Sequence, residues 1–240
     1  CDFLKDDIPD IAFNNIETVF HLAGCAHDTN KKILNDSYIK INTEAAIKIA
    51  KISIEKKVKN FIFVSSVKAD NPSDIYGISK QKAEDELIEL SKISNMNIMV
   101  IRPALVYGQG VRGNLKLMIN GINKGWFPPL PHTKNKRSMI HVDDLVSSIL
   151  FLSSKGNLKE KIFIATDGKS YSTAEIYDTL CVVLGKKLPN WRIPEVFFTI
   201  VSFIHPSIKF KIEKLFGNDF YSSEKLDKLG FKPRKTLKDI

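Results

Sequence analysis

Tyr76-Gly-Ile-Ser-Lys80 sets a phenol and an ammonium four residues apart, so on a helix the two share a face about one turn apart. A phenol alone is a poor base at neutral pH. A neighbouring ammonium favours phenolate over phenol, and would draw Tyr76 from about 10 toward the working range of a proton-transfer catalyst. Surface helices carry the same spacing, so the pair needs a third group. Ser65 and Ser66 directly follow the apolar run Phe61-Ile-Phe-Val64, and parallel sheets present ligand-binding groups at the carboxyl ends of their strands. Tyr76 opens the next helical stretch ten residues after Ser66. A Ser66 hydroxyl and a Tyr76 phenol converging on one substrate oxygen would orient it and move its proton. The competing reading has both serines capping a turn.

Such residues need a scaffold that holds them at one edge. Glu17-Thr-Val-Phe-His-Leu-Ala-Gly24 has a short apolar core ending in small residues, the pattern of a buried strand opening onto a loop. From Asn42 to about Lys56, Ala45, Ile49 and Ile52 share a helical face uninterrupted by Gly or Pro. Phe61 to Ser65 is again a strand, Asn71-Pro-Ser-Asp74 marks a loop, and Tyr76 to about Ser94 carries Ala83, Leu87 and Leu90 on a helical stripe. Ile98 to Arg102 returns to strand character. Continuous apolar strands alternating with helices predict an α/β fold, a Rossmann-like doubly wound parallel sheet covered on both faces. Beyond Tyr107-Gly108 the pattern loosens into a helix near Asn114 to Asn123 and a stretch holding Pro128, Pro129 and Pro131. Met139 to Val142 reads as a short strand, Asp143 as the cap of a helix to about Ser154, Ile162 to Ala165 as a strand, and Thr173 to near Gly185 as a helix. The expected organisation is a sheet domain over 1–108 and a small substrate-binding lobe over 109–240, from which 139–165 returns to the sheet domain.

Beyond the Ser-Tyr-Lys set, Val19-Phe-His-Leu-Ala-Gly24, Asn42, Arg102-Pro-Ala-Leu-Val-Tyr-Gly108 and Arg137-Ser-Met-Ile-His-Val-Asp-Asp144 are motifs of one kind. Over nearly its whole length the chain resembles an extended short-chain dehydrogenase/reductase of the NAD-dependent epimerase/dehydratase family. The branch it resembles is the UDP-glucose 4-epimerase type of polysaccharide biosynthesis. That resemblance implies a catalytic set of Ser66, Tyr76 and Lys80. It implies NAD held by Leu22, Ala23, Gly24, Asn42, Val64, Ser65, Tyr76, Lys80, Pro103 and Val106. A UDP-sugar would lie on Ser66, Asn114, Leu115 and Arg137, where a planar guanidinium can grip a diphosphate through paired charged hydrogen bonds. In the implied reaction Tyr76 takes the proton of the sugar O4, Ser66 hydrogen-bonds O4, and Lys80 holds Tyr76 ionised and contacts the nicotinamide ribose. Hydride leaves C4 for NAD and returns to the other face of a 4-keto sugar, so the cofactor is regenerated. Members of the family are commonly homodimers through the helix that carries Tyr76.

Three features depart from the family pattern. Nothing matches the G-x-x-G-x-x-G loop that seats a pyrophosphate at a helix N-terminus, and the chain starts at Cys1 near the approach to the family's fourth strand. The expectation is that a first part of on the order of 60 residues is absent, and with it the residue separating NAD from NADP. The segment between Ser66 and Tyr76 is short for the family, and Leu105 stands where many epimerases place an asparagine. A 4-keto-sugar reductase consuming NAD(P)H is therefore the alternative enzyme, and a non-catalytic nucleotide-binding protein of the same fold the alternative outside enzymes. A dehydratase fits less well, because Ser66-Val-Lys68 stands where that group has Thr-Asp-Glu.

Composition narrows the class further. With 43% hydrophobic and 26% charged residues in 240, the chain can build one sizeable core with an attached lobe. Cys1, Cys25 and Cys181 show neither C-x-x-C pairing nor His at ligand spacing, so no metal site or disulfide framework is expected, and a reducing cytoplasm fits. The formal charge of +9 is spread along the chain without a dense basic block, which argues against nucleic acid. No signal-peptide pattern precedes the first strand, and no apolar run approaches the roughly 18 residues needed to span a bilayer. The nearest run is Val196 to Ile204, where Phe197, Ile200, Val201 and Ile204 follow helical spacing. They are expected to dock on the protein, with membrane-surface association aided by Lys209, Lys211 and Lys214 as the alternative.

Overall fold

The computed structural model describes residues 8–26, 35–156, 158–204 and 206–240; Cys1 and His205 lie outside them. The first half runs β1 (Thr18–His21), α1 (Asn35–Ile39), α2 (Ala45–Glu55), β2 (Asn60–Val64), α3 (Ile75–Ile93) and β3 (Asn97–Pro103). Then come β4 (Leu105–Tyr107), α4 (Gly113–Asn123), β5 (Arg137–His141), α5 (Val142–Ser153), β6 (Ile162–Ala165) and β7 (Ser170–Tyr171). The chain closes with α6 (Thr173–Val183), α7 (Glu195–Ile204), α8 (Pro206–Phe216) and α9 (Glu224–Lys228). It divides into two compact units, Cys1–Pro103 with Val146–Ala165 and Glu224–Phe231, and Ala104–Leu145 with Thr166–Ser223 and Lys232–Ile240.

In the first unit four strands lie in the order β1-β2-β3-β6, all parallel. Their continuous apolar composition follows from burial on both faces. Phe61, Phe63, Ile98 and Val100 meet Ala46, Ile49 and Ala50 of α2 and Ala83 and Leu87 of α3. The alternate residues Ile62, Met99 and Ile101 point to the other face and are as fully buried. Truncating one of these phenylalanines to alanine costs about 3–5 kcal/mol. The register pairs His21 with Phe63 and Val64 with Ile101, so the chain leaves β1, β2 and β3 along one carboxyl edge.

The helix expected from Asn42 begins earlier. α1 and α2 are joined by a π-helical turn over Lys40–Glu44, whose extra residue per turn aims both Asn42 and Thr43 into the protein, where both are buried. α3 starts one residue before Tyr76 because Asp74 caps it, its carboxylate accepting from the Gly77 amide at 2.8 Å.

The second unit is built on β5, paired in parallel with β4 and antiparallel with β7. Its core holds Tyr107, Leu115, Met118, Leu130, Met139 and Leu180. β4 and β7 are three and two residues long, too short for an apolar period to announce them. Asp143 is not the cap of α5 but sits in its first turn. Its carboxylate pairs with Lys235 at 2.5 Å. α6 begins with a reciprocal capping box between Ser172 and Glu175. On α7 the docked face differs from the expected one. Phe198 packs into the core, whereas Phe197 and Ile200 are exposed.

Candidate active site

Ser66 and Tyr76 meet at the carboxyl edge of the parallel sheet. Ser66 ends the extended chain after β2 and caps the short 3-10 turn Val67–Ala69, its hydroxyl accepting from the Lys68 amide at 3.3 Å, and it lies close enough to Tyr76 to favour the ionised phenol. The turn packs tightly on the start of α3. A Cβ built on Gly77 would lie 2.5 Å from the Lys68 carbonyl oxygen, so only glycine lets the two segments come this close. Lys68 also pairs with the capping Asp74 at 2.8 Å and lies over the Tyr76 ring, 5.6 Å from its centroid.

Lys80, one turn beyond Tyr76, is buried. Its ammonium donates to the Val64 carbonyl at 2.9 Å and lies 4.6 Å from the centroid of Phe63. Burial pushes it down to about 8, against the pull of Glu84. The expectation that this ammonium lowers the phenol needs correcting. Tyr76 is pushed above its ordinary value by burial, with the Ser66 hydroxyl opposing and Asp74 adding. The charge of Lys80 is directed at the β2 carbonyl, and the carboxylate two residues from the phenol works the other way.

Asn42 ties three segments together. Its carbonyl oxygen accepts from the Cys25 amide at 2.7 Å, and its amide donates to the Cys25 carbonyl at 3.0 Å and to Ser79 Oγ at 2.9 Å. Ser79 in turn donates to the Tyr76 carbonyl at 2.8 Å, and Thr43 donates to the Ser79 carbonyl at 2.7 Å. The loop after β1 is thereby fixed to the first turn of α3.

A second anchor was not read from the sequence. Arg102 on β3 donates to both carboxylate oxygens of buried Glu84, at 3.0 Å from Nε to Oε1 and 2.6 Å from Nη2 to Oε2, and to Asp70 at 2.5 Å. Glu84 follows Lys80 by four residues on α3, so Tyr76, Lys80 and Glu84 form a stripe whose last member holds the helix to the sheet. Asp70 closes the 3-10 turn after Ser66. A carboxylate at that spacing, facing an arginine inside an apolar strand, was the available signal.

The edge also fits a dinucleotide. Ser65 has a buried hydroxyl oxygen without a hydrogen-bond partner, while its amide donates to Ile101. A Cβ on Gly24 would lie 3.0 Å from Asn42 Oδ1 and 3.2 Å from Lys80 Nζ, so a side chain there would crowd both. Leu22 beside it is exposed. Leu22, Ala23, Gly24, Asn42, Val64, Ser65, Ser66, Tyr76, Lys80 and Pro103 all belong to the first unit.

Val106, Asn114, Leu115 and Arg137 belong to the second. Asn114 is exposed at the start of α4, whereas the Leu115 side chain is buried in the core and leaves only its backbone for a ligand. Arg137 donates to Asp219 at 3.2 Å and to the Lys214 carbonyl. Burial lowers its pKa and Asp219 opposes.

The sequence pattern of the NAD dependent epimerase/dehydratase family matches residues 1–165. The chain is 32% identical to a UDP-glucose 4-epimerase of Vibrio cholerae, over 96% of this chain and 76% of the relative. It is 24% identical to the Escherichia coli O157:H7 N-acetyl-alpha-D-glucosaminyl-diphospho-ditrans,octacis-undecaprenol 4-epimerase, over 65% of this chain and 52% of that one. A solved UDP-glucuronic acid 4-epimerase from Bacillus cereus in complex with NAD shares the fold, with TM-score 0.76, 17% identity, and coverage of 100% of this chain and 76% of that one. Among the described residues no helix is long and apolar enough to cross a membrane. By sequence pattern, relatives and the parallel sheet with its serine-tyrosine edge, this chain belongs to the NAD dependent epimerase/dehydratase family, whose cofactor is NAD.

Proposed function

We propose that the protein containing this chain is a C4 epimerase of a UDP-hexose or UDP-N-acetylhexosamine, acting through a 4-keto intermediate in surface polysaccharide or lipopolysaccharide biosynthesis. The observation that carries this reading is the placement of Ser66 just after β2 and of Tyr76 in the first turn of α3, both at the carboxyl edge of a parallel sheet, with Lys80 buried one turn further on and held by the Val64 carbonyl. The 4-epimerase names of the Vibrio and Escherichia relatives support it.

NAD, when bound, supplies the hydride acceptor and donor at C4. Leu22, Ala23, Gly24, Val64, Ser65 and Pro103 would hold it, Gly24 by having no side chain and Ser65 through its unpartnered hydroxyl. Ser66 orients O4 by donating its hydroxyl proton toward it, and Tyr76 Oη takes the O4 proton and later gives it back. Lys80, restrained by the Val64 carbonyl one helical turn beyond Tyr76, would present its remaining ammonium protons to the nicotinamide ribose. Asn42 and Arg102 position the loop, turn and helix that carry these groups. Asn114 and Arg137 would take the UDP portion, Arg137 by exchanging Asp219 for a diphosphate.

We further infer that the first unit carries the cofactor and the second the substrate-binding lobe, and that the complete protein is a cytoplasmic homodimer through α3, whose Ile78 and Ile93 are exposed. Light scattering on the complete protein tests the dimer. For the reaction, the complete enzyme is incubated with UDP-glucose or UDP-N-acetylglucosamine and catalytic NAD⁺, and the products are separated by anion exchange. The C4 epimer is expected, without net change in nicotinamide absorbance. No epimer, together with stoichiometric NAD(P)H oxidation by a 4-keto-6-deoxy sugar nucleotide, would replace the epimerase by a 4-keto-sugar reductase.

A further inference from the structure

α7 is apolar on two sides. Phe198 turns inward, its ring edge-on to Phe216 at 5.0 Å, and packs on the core of the second unit. On the other side Val196, Ile200 and Phe203 follow i, i+4, i+7 spacing and are 66%, 51% and 90% exposed. A helix whose outer face meets water carries charged residues there. Here Thr199 and Ser202 turn their hydroxyls back to the carbonyls of Glu195 and Thr199. Exposed apolar side chains continue, in sequence, into the preceding segment. Ile193 donates to the Pro129 carbonyl at 3.2 Å and Arg192 to the Leu130 carbonyl at 2.9 Å, which sets the stretch bearing exposed Trp191 beside the one bearing exposed Trp126.

The charge along the segment around α7 is one-sided in sequence. Residues 186–216 hold Lys186, Lys187, Arg192, Lys209, Lys211 and Lys214 against Glu195 and Glu213. Of these, Arg192 is paired with Asp178, Lys209 reaches Glu213 only at 3.8 Å, and Lys186 and Lys187 are exposed. We propose that this face docks on an anionic lipid bilayer, with the α7 side chains at the acyl boundary, the tryptophans at headgroup level and the flanking lysines on lipid phosphates. Ten residues of helix reach about 15 Å, half of the roughly 30 Å hydrocarbon core, so α7 lies in the interface plane instead of crossing it. A second copy is the poorer occupant. In a two-fold dimer the same lysine-flanked face would meet itself, and like charge would oppose like.

The complete protein is sedimented with vesicles of phosphatidylcholine alone and of phosphatidylcholine with phosphatidylglycerol. Binding is expected to the anionic vesicles, weakened by salt. The Ile200→Ser/Phe203→Ser variant should bind about tenfold less or weaker, with unchanged turnover on a soluble substrate, because neither residue fills the core or the site. Lys186→Glu/Lys187→Glu, which removes no apolar contact, should reduce binding to anionic vesicles independently of any effect on folding. Failure of the wild-type protein to sediment with anionic vesicles overturns the proposal. It is equally overturned if neither variant changes binding, or if the serine variant turns a dimer into a monomer while the wild type binds no vesicle, since a second copy would then cover the face.

Discussion

The start of α3 and the outer face of α7 are both helical surfaces bearing aromatic rings, but their polar groups are handled in opposite ways. Around α3, Ser79, Asn42, Thr43, Glu84, Lys80 and Arg102 are buried or nearly so, and each has a hydrogen-bond partner fixed in position. Around α7, four large apolar side chains are exposed, while basic residues flank them in sequence. A region that, on the proposed function, holds a phenol and a hydroxyl at one substrate oxygen fixes them with buried polar groups. A surface for docking keeps its apolar area outside. The comparison makes the α3 region the place where small changes cost activity and stability together.

The largest expected effect is on stability. Arg102→Ala leaves Glu84 charged and buried without a partner, which costs about 3–5 kcal/mol. Denaturant unfolding measures it, and a loss below about 1 kcal/mol would mean that Glu84 finds another partner or takes up a proton. Tyr76→Phe comes next, with turnover down by at least about 10²-fold and little change in unfolding midpoint. Near-wild-type turnover of the purified variant would remove Tyr76 from the chemistry. Asn42→Ala strands the Cys25 amide and removes the bond that Ser79 Oγ accepts, leaving the one it donates to the Tyr76 carbonyl, at about 2 kcal/mol. Its turnover should fall as well, because the loop after β1 is no longer tied to α3.

The remaining effect is a pH dependence. His21 is buried, stacks on Phe61 and Phe63, and has an unpartnered Nε2. Burial and the Lys80 charge hold it down to about 4 from 6.5. The unfolded chain therefore takes up this proton first, and the stability His21 allows above pH 6.5 is lost as pH falls toward about 4. His21→Phe should flatten stability across that window in urea titrations. An unchanged acid profile would show that carboxylates alone set it.

The parallel sheet was legible because a strand buried on both faces must be continuously apolar, and Phe61 to Val64 and Ile98 to Ile101 are. The Tyr76, Lys80 and Ser66 constellation was legible because helical spacing and the strand-end rule place all three at one edge. What periodicity missed has local causes. A π turn at Asn42 shifts the helix phase, and β4 and β7 are shorter than one apolar repeat. The Arg102–Glu84 pair joins residues 18 apart, and only the fold brings them together. The direction of the Tyr76 shift escaped the sequence because spacing gives neighbours but not burial, and burial dominates.

On the proposed function, Ser66, Tyr76 and Lys80 move the O4 proton while hydride leaves and returns to the same C4. The most direct measurement supplies the complete enzyme with UDP-sugar deuterated at C4 and follows the product by mass spectrometry and NMR. A C4 epimer that keeps its deuterium at C4 is expected of the wild type, and no epimer on the same timescale of Tyr76→Phe. Epimer whose C4 deuterium has been replaced from solvent, or a wild type and Tyr76→Phe variant of equal rate, would contradict it.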